Sequence, residues 1–232
     1  MQRAIGVILA GGTGSRVGRD LPKQLLPLTG KPMVEYSMAA FQASDGVDEI
    51  IIVMQPDHLA VAEAAATHYP KVTKVLPGGA SRSASTLAAL QHLGALEPTD
   101  TKVLIHDAAR PLVTPQIIAA VLTALDTHDA ASVAVASSDT IFDVRDDHVK
   151  AIPARQHLRR VQTPQGFRLG TISRAYGQAL ADPDFDGATD DCSVVFAYLP
   201  DVAIAVVPGS DTNIKVTSEL DLALAEHLLT IS

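Results

Sequence analysis

Ile8-Leu-Ala-Gly-Gly-Thr-Gly-Ser-Arg16, entered from the apolar run Ala4 to Leu9 and followed by Pro22-Lys23, reads as a strand that runs into a phosphate cradle. Gly11, Gly12 and Gly14 let the backbone turn sharply and bring bare N–H groups against an anion. Two cations stand beside it: Arg16 can fork onto phosphate oxygens, and Lys23 supplies a point charge. The spacing is neither a Walker loop, which needs Gly-Lys-Ser/Thr, nor G-x-G-x-x-G, since Val17 stands at the third glycine position. A Gly-rich surface loop is the plain alternative, but such loops seldom carry Arg and Lys at these offsets.

The rest of the chain repeats the strand and helix alternation that this first strand begins. Glu49 to Met54, Val72 to Leu76, Lys102 to His106 and Ala131 to Ala136 read as strands. Pro32 to Ala43, Asp57 to His68, Ser81 to Gly94 and Pro115 to Thr127 carry alanine and leucine at helical spacing, the last opened by the cap pair Thr114-Pro115. This predicts an α/β fold, a doubly wound, mostly parallel sheet with ligands at the carboxyl ends of its strands. With 232 residues and 47% hydrophobic content, one domain spanning 1–232 is expected.

After Ala136 the alternation breaks. Asp139 to Val144 and His148 to Ile152 flank a polar turn, Arg145-Asp-Asp147, and an extended segment continues through Arg159 to Gln165. We read an inserted β-arm over about 138–163. Such a hairpin is marginal alone, so it is expected to pack against a second copy of the chain as a homodimer. Val202 to Val207 then reads as a late strand, and Thr217 to Leu229 as a last helix with Ser218 and Asp221 at capping-box spacing.

Bulk properties narrow the function. A net charge of −8 argues against a broad nucleic-acid surface, and no apolar run approaches the ~20 residues of a membrane span. Cys192, the single cysteine, rules out an internal disulfide and a thiolate zinc cluster, and it reads as a helical core residue. With no secretory segment ahead of Ala4, a cytoplasmic protein is expected. The histidines show no ligand spacing. A second cluster, His106-Asp-Ala-Ala-Arg-Pro111, closes the strand Lys102 to Ile105, and Asp107 there is the candidate for holding Mg2+ beside the cradle. Asp107 as a turn cap and Arg110 as a surface cation remain open on spacing alone.

The loop L-x-G-G-x-G-x-R…P-K resembles that of sugar nucleotidyltransferases. With His106 to Pro111 added, the chain resembles the 2-C-methyl-D-erythritol 4-phosphate cytidylyltransferase family over nearly its whole length. Gly78-Gly79 with Arg82 and Ser85, Asp139-Thr140, Arg155, Gln162 to Phe167, Thr189-Asp190 and Asn213-Ile-Lys-Val-Thr217 support this in order. The resemblance implies that Arg16 and Lys23 hold the triphosphate of CTP and that Ala10, Gly11, Gly79 and Ser85 form the base pocket. It implies that Arg110, Thr140, Arg155, Thr163, Thr189 and Lys215 receive the polyol phosphate. Arg155 and Thr163 are expected on the arm, completing the partner's site. Leu9-Ala-Gly-Gly12 also resembles ribitol-5-phosphate cytidylyltransferases. That enzyme, a hexose 1-phosphate uridylyl- or adenylyltransferase and a nucleotide-binding regulatory module are the other readings.

Overall fold

The computed structural model describes residues 2–12 and 22–231, so Gly14 and Arg16 lie outside the described residues. The first half of the chain contains β1 (Ala4–Ala10), the small hairpin of β2 (Pro27–Leu28) and β3 (Lys31–Pro32), α1 (Met33–Gln42), β4 (Glu49–Met54), α2 (Leu59–Ala66), β5 (Val72–Pro77) and α3 (Arg82–Gly94). Next come β6 (Lys102–Asp107), α4 (Pro115–Ala124), β7 (Ala130–Ala136), the hairpin of β8 (Asp143–Arg145) and β9 (His148–Ala151), and β10 (Arg159–Arg168). The chain closes with α5 (Leu169–Ala181), α6 (Asp191–Tyr198), β11 (Ile204–Pro208) and α7 (Glu219–Ile231).

Seven strands form the central sheet in the order β11-β7-β10-β6-β1-β4-β5. All neighbours run parallel except β10, which pairs antiparallel with both β6 and β7. Period-two alternation sends the strand side chains into two cores. Ile8, Ile50, Ile52 and Leu104 join Val34, Met38 and Phe41 of α1 and Ile118 and Val121 of α4. Ile5, Val7, Ile51, Val53 and Ile105 join Leu90 and Leu93 of α3 and Ile172, Ala175 and Tyr176 of α5 on the other face. Burial on both faces explains why the inner parallel strands β1, β4 and β6 read as largely apolar runs.

A third, smaller cluster matters more for function. Leu28 and Met33 pack with Val216 and with Leu222 and Ala225 of α7, tying the segment after Lys23 to the segment after Lys215. The last helix has the expected capping box: Ser218 Oγ accepts from Asp221 N at 3.3 Å, and Asp221 Oδ2 accepts from Ser218 N at 2.8 Å.

The arm is shorter than the sequence reading of 138–163. Its hairpin turns through Asp146 (φ 50°) and Asp147 (φ 59°), the paired left-handed residues of a type I′ turn. From Arg159 onward the chain is already β10, paired with Ala134 to Ala136 inside the central sheet. Thr163 therefore belongs to the core of its own chain, and only the stretch before Arg159 projects.

Candidate active site

The carboxyl ends of β1 and β6 open into a cleft of about 250 Å3, where the strand-order rule for α/β sheets places ligands. Ala10, Gly11 and Gly12 form one wall as β1 ends, Lys23 and Gln24 another, and Arg82 and Ser85 come from the first turns of α3. Asp107 at the end of β6, with Lys215 and Thr217, completes it.

One end of the cleft is built by close backbone approach. A Cβ at Gly11 would stand 2.8 Å from Ser85 Oγ, and one at Gly78 would stand 3.3 Å from Gly11 Cα. Ser85 Oγ is held there, accepting from Gly79 N at 3.2 Å and donating to the Ser81 carbonyl at 3.0 Å. Gln24 fixes the opposite side: its buried amide donates to the carbonyls of Ala10 and Gly12, so it splints the exit of β1. Gly11→Ala is expected to push Ser85 out of this seat and raise the KM for the nucleotide about tenfold while the protein stays folded. Steady-state kinetics beside circular dichroism would check it, and an unchanged KM would contradict it.

The other end is electrostatic. Asp107 is 8% exposed, and its two oxygens are divided: Oδ1 accepts from Arg82 Nε at 3.0 Å and Oδ2 from Lys215 Nζ at 2.7 Å. Burial opposes ionisation, but Arg82 and Lys215 outweigh it and hold this carboxyl far below the usual carboxylate range. Lys23 Nζ donates to the carbonyl of Val216 at 3.1 Å, beside Lys215 in the chain. In a protein of net charge −8, three cations thus line or border one small cleft.

Beneath Asp107 lies a polar floor. Thr163 Oγ1 accepts from Asp107 N at 3.1 Å and lies 3.0 Å from His106 Nδ1, while His106 Nε2 lies 3.1 Å from the Arg110 carbonyl. A carbonyl partner requires the proton on Nε2, which leaves Nδ1 to accept from the threonine hydroxyl. Burial pushes the imidazole down to about 4, so it stays neutral, bridging the Thr163 hydroxyl and the Arg110 carbonyl. Arg110 fastens the Lys215 segment, donating to the carbonyls of Asn213 at 2.9 Å and Val161 at 3.1 Å. Asn213, fully buried, donates to the Thr163 carbonyl at 3.0 Å from the same segment.

The residues singled out from sequence therefore fall into three groups. Ala10, Gly11, Gly12, Lys23, Ser85, Asp107 and Lys215 meet in the cleft, with Gly79 directly behind Ser85. Thr163 and Arg110 sit under and beside Asp107 in the same chain. Thr140 and Arg155 are exposed on the arm, where Arg155 donates to the Ser138 carbonyl at 2.9 Å, and Thr189 is exposed just before α6. Sequence reasoning did not assign a role to Gln24, to Arg82 as a partner of Asp107, or to Asp191. The only signals were Gln24 next to Lys23 and Arg82 within the Gly78-Gly79 segment.

The family model for 2-C-methyl-D-erythritol 4-phosphate cytidylyltransferase matches residues 4–231. A protein of that name from Thermobifida fusca is 51% identical over 98% of this chain and 93% of its own length. The bifunctional ribulose 5-phosphate reductase/CDP-ribitol pyrophosphorylase of Haemophilus influenzae is 41% identical over 97% of this chain, which spans 48% of that protein. The crystal structure of 4-diphosphocytidyl-2C-methyl-D-erythritol synthase from Anaerococcus prevotii superposes with a TM-score of 0.86 at 28% identity, covering 99% of both chains.

Proposed function

The chain belongs to the 2-C-methyl-D-erythritol 4-phosphate cytidylyltransferase family, and from that premise we propose how its cleft carries out the family's reaction. It is a nucleotidyltransferase that joins CTP and 2-C-methyl-D-erythritol 4-phosphate to give 4-diphosphocytidyl-2-C-methyl-D-erythritol and pyrophosphate, a step in isoprenoid precursor synthesis. The observation that carries the reading is the group of cations gathered around Asp107 at the strand ends, beside a glycine-walled seat.

The substrate phosphate is already an anion, so no general base is needed and His106 can remain neutral. The difficulty is to bring two polyanions together and to stabilise the charge that grows on the α-phosphate and the leaving pyrophosphate. Gly11, Gly12, Gly14, Arg16 and Lys23 hold the triphosphate, and the seat formed by Ala10, Gly11, Gly79 and Ser85 takes the cytosine. Lys215 orients the polyol phosphate for in-line attack on the α-phosphorus, and pyrophosphate leaves on the opposite side.

Asp107 is fitted to hold Mg2+. It is a single ionised carboxylate lining the cleft, and each of its oxygens has one donor among the described residues, which leaves lone pairs for a cation. No group of three or more His, Cys, Asp or Glu side chains suited to a metal occurs among the described residues. That suits an ion completed by water and substrate phosphates more than an all-protein cage. Bound there, Mg2+ would neutralise triphosphate charge.

The arm supports a homodimer. Ile141, Phe142, Val144, Val149 and Ile152 are each about half exposed or more on a hairpin too small to bury them. Thr140 and Arg155 on the same arm would complete the polyol phosphate site of the partner. Phe142→Asp with Val149→Asp is expected to give a folded monomer with at least tenfold less activity, read by light scattering and turnover. A dimer with normal turnover would contradict this. No helix among the described residues is long and apolar enough to cross a membrane.

Pyrophosphate release with 2-C-methyl-D-erythritol 4-phosphate and each of CTP, UTP, ATP and GTP tests the nucleotide half of this reading. Turnover is expected with CTP alone, and equal turnover with UTP or a purine nucleotide would contradict the base-seat assignment.

A further inference from the structure

Arg82 sits between two carboxylates that come from distant parts of the chain. Its Nε donates to Asp107 Oδ1 at 3.0 Å, and its Nη1 lies 2.8 Å from Asp191 Oδ2. Asp191 is fully buried on the first turn of α6 and does not line the cleft. It is immobilised from several sides: Oδ1 accepts from the Tyr176 hydroxyl of α5 at 2.7 Å and the Thr86 hydroxyl of α3 at 2.9 Å, and its backbone N–H donates to Gln165 Oε1 of β10 at 2.9 Å. The Arg82–Asp191 contact is an ion pair without hydrogen-bond alignment, since Nη1 and Oδ2 have no hydrogen-bond partner. Its contribution is therefore charge and place, anchored on a fully buried, hydrogen-bonded carboxylate.

Among the described residues Asp107 has one other salt-bridge partner, Lys215, whose side chain is 38% exposed and which, on the proposed function, meets the incoming phosphates. Once substrate oxygens compete for that ammonium, Arg82 is the cation left on Asp107. We propose that Arg82 is a positioning residue for cytidylyl transfer: it carries the fixed location of Asp191 on α6 across to Asp107, and so holds the Asp107 carboxylate in register with Lys215 and the reacting phosphates. The α6 anchor is thereby part of the active site without touching substrate. The assignment rests on the cytidylyltransferase reading and concerns how that site is held in shape.

Three variants test it: Arg82→Gln, Asp191→Asn and their combination, assayed with CTP, Mg2+ and 2-C-methyl-D-erythritol 4-phosphate beside the unaltered enzyme. Calorimetric CTP binding without metal and thermal unfolding are read in parallel. Arg82→Gln is expected to lower kcat at least tenfold with KM and Kd for CTP within threefold. Asp191→Asn, remote from the cleft, is expected to lower kcat about threefold. The double variant is expected to lose no more than Arg82→Gln alone, because both changes cut one chain of contacts. Normal kcat in the folded variants would overturn the assignment. A tenfold rise in Kd for CTP at unchanged kcat would overturn it in favour of direct ligand contact, and additive losses would overturn the relay through Asp191. Should Arg82→Gln not fold, Arg82→Lys decides, since one ammonium cannot span both carboxylates: at least a fivefold loss of kcat is expected, and full activity overturns the proposal. A lack of turnover by the unaltered enzyme would instead count against the functional reading itself.

Discussion

Lys215→Ala is expected to lower kcat by a hundredfold to a thousandfold and to leave the fold intact. Lys215 reaches the cleft from the segment held by Arg110 and Asn213, and its ammonium stands 2.7 Å from Asp107. Removing it takes one positive charge from the place where two polyanions must meet and leaves Asp107 facing them with Arg82 as its remaining cation. Donors aimed at developing oxyanion charge are worth about 2.7–4 kcal/mol each. The fold is expected to survive, since Arg82 stays paired with the other oxygen of Asp107. Val216 N also keeps its bond to the Ala109 carbonyl at 2.8 Å, so the segment stays in place. Steady-state kinetics and thermal unfolding separate the two effects, and turnover within tenfold of the unaltered enzyme would remove Lys215 from the reaction.

Lys23→Ala is expected to cost about a hundredfold or more in kcat, on the same physical ground. Its ammonium donates to the carbonyl of Val216, so the turn after the glycine loop and the segment of Lys215 are joined at the cation itself. Both segments also share the Leu28, Met33 and Val216 cluster, which survives the substitution and keeps the backbone in place. Because the two lysines face one charge distribution, the double variant is expected to lose less than the product of the single losses. Strict multiplicativity would mean that each acts on a different step.

Much of this architecture was legible from residue order. The parallel strands β1, β4, β5, β6 and β7 fall within a residue of their sequence-based bounds; for all but the edge strand β5, burial of the sheet writes the strand as an apolar run. What escaped depended on long-range partners. The helix Leu169–Ala181 carries Gly170 and Gly177, which weaken its pattern, although Leu169, Ile172, Ala175, Tyr176 and Ala179 line its buried face. The helix Asp191–Tyr198 is short and rich in valine, so only Asp190, whose side chain accepts from Ser193 N at 2.8 Å, signals its start. Arg159 to Thr163 reads as arm because Pro164 and Gly166 obscure a strand whose pairing with β6 and β7 is settled by distant sequence.

The site divides along the same line. The glycine loop, Lys23, Asp107 and Lys215 were visible because each sits in a short, chemically distinctive motif at a strand end. Asp191 carries no such motif and Arg82 stands out only as a member of the Gly78-Gly79 segment, since their pairing lies in a contact between residues 109 positions apart in the chain. Thr163 reads from sequence as part of the arm, whereas its hydroxyl accepts from Asp107 N and lies beside His106 within its own chain, contacts that only the long-range fold reveals.

The central claim is that this cleft passes the cytidylyl group of CTP to 2-C-methyl-D-erythritol 4-phosphate. Its most direct test is pyrophosphate release by the purified protein with CTP and Mg2+, comparing that substrate with D-ribitol 5-phosphate at equal concentration. Strong preference for the methylerythritol substrate is the expected result; preference for ribitol phosphate, or binding of CTP with turnover of neither, would contradict it.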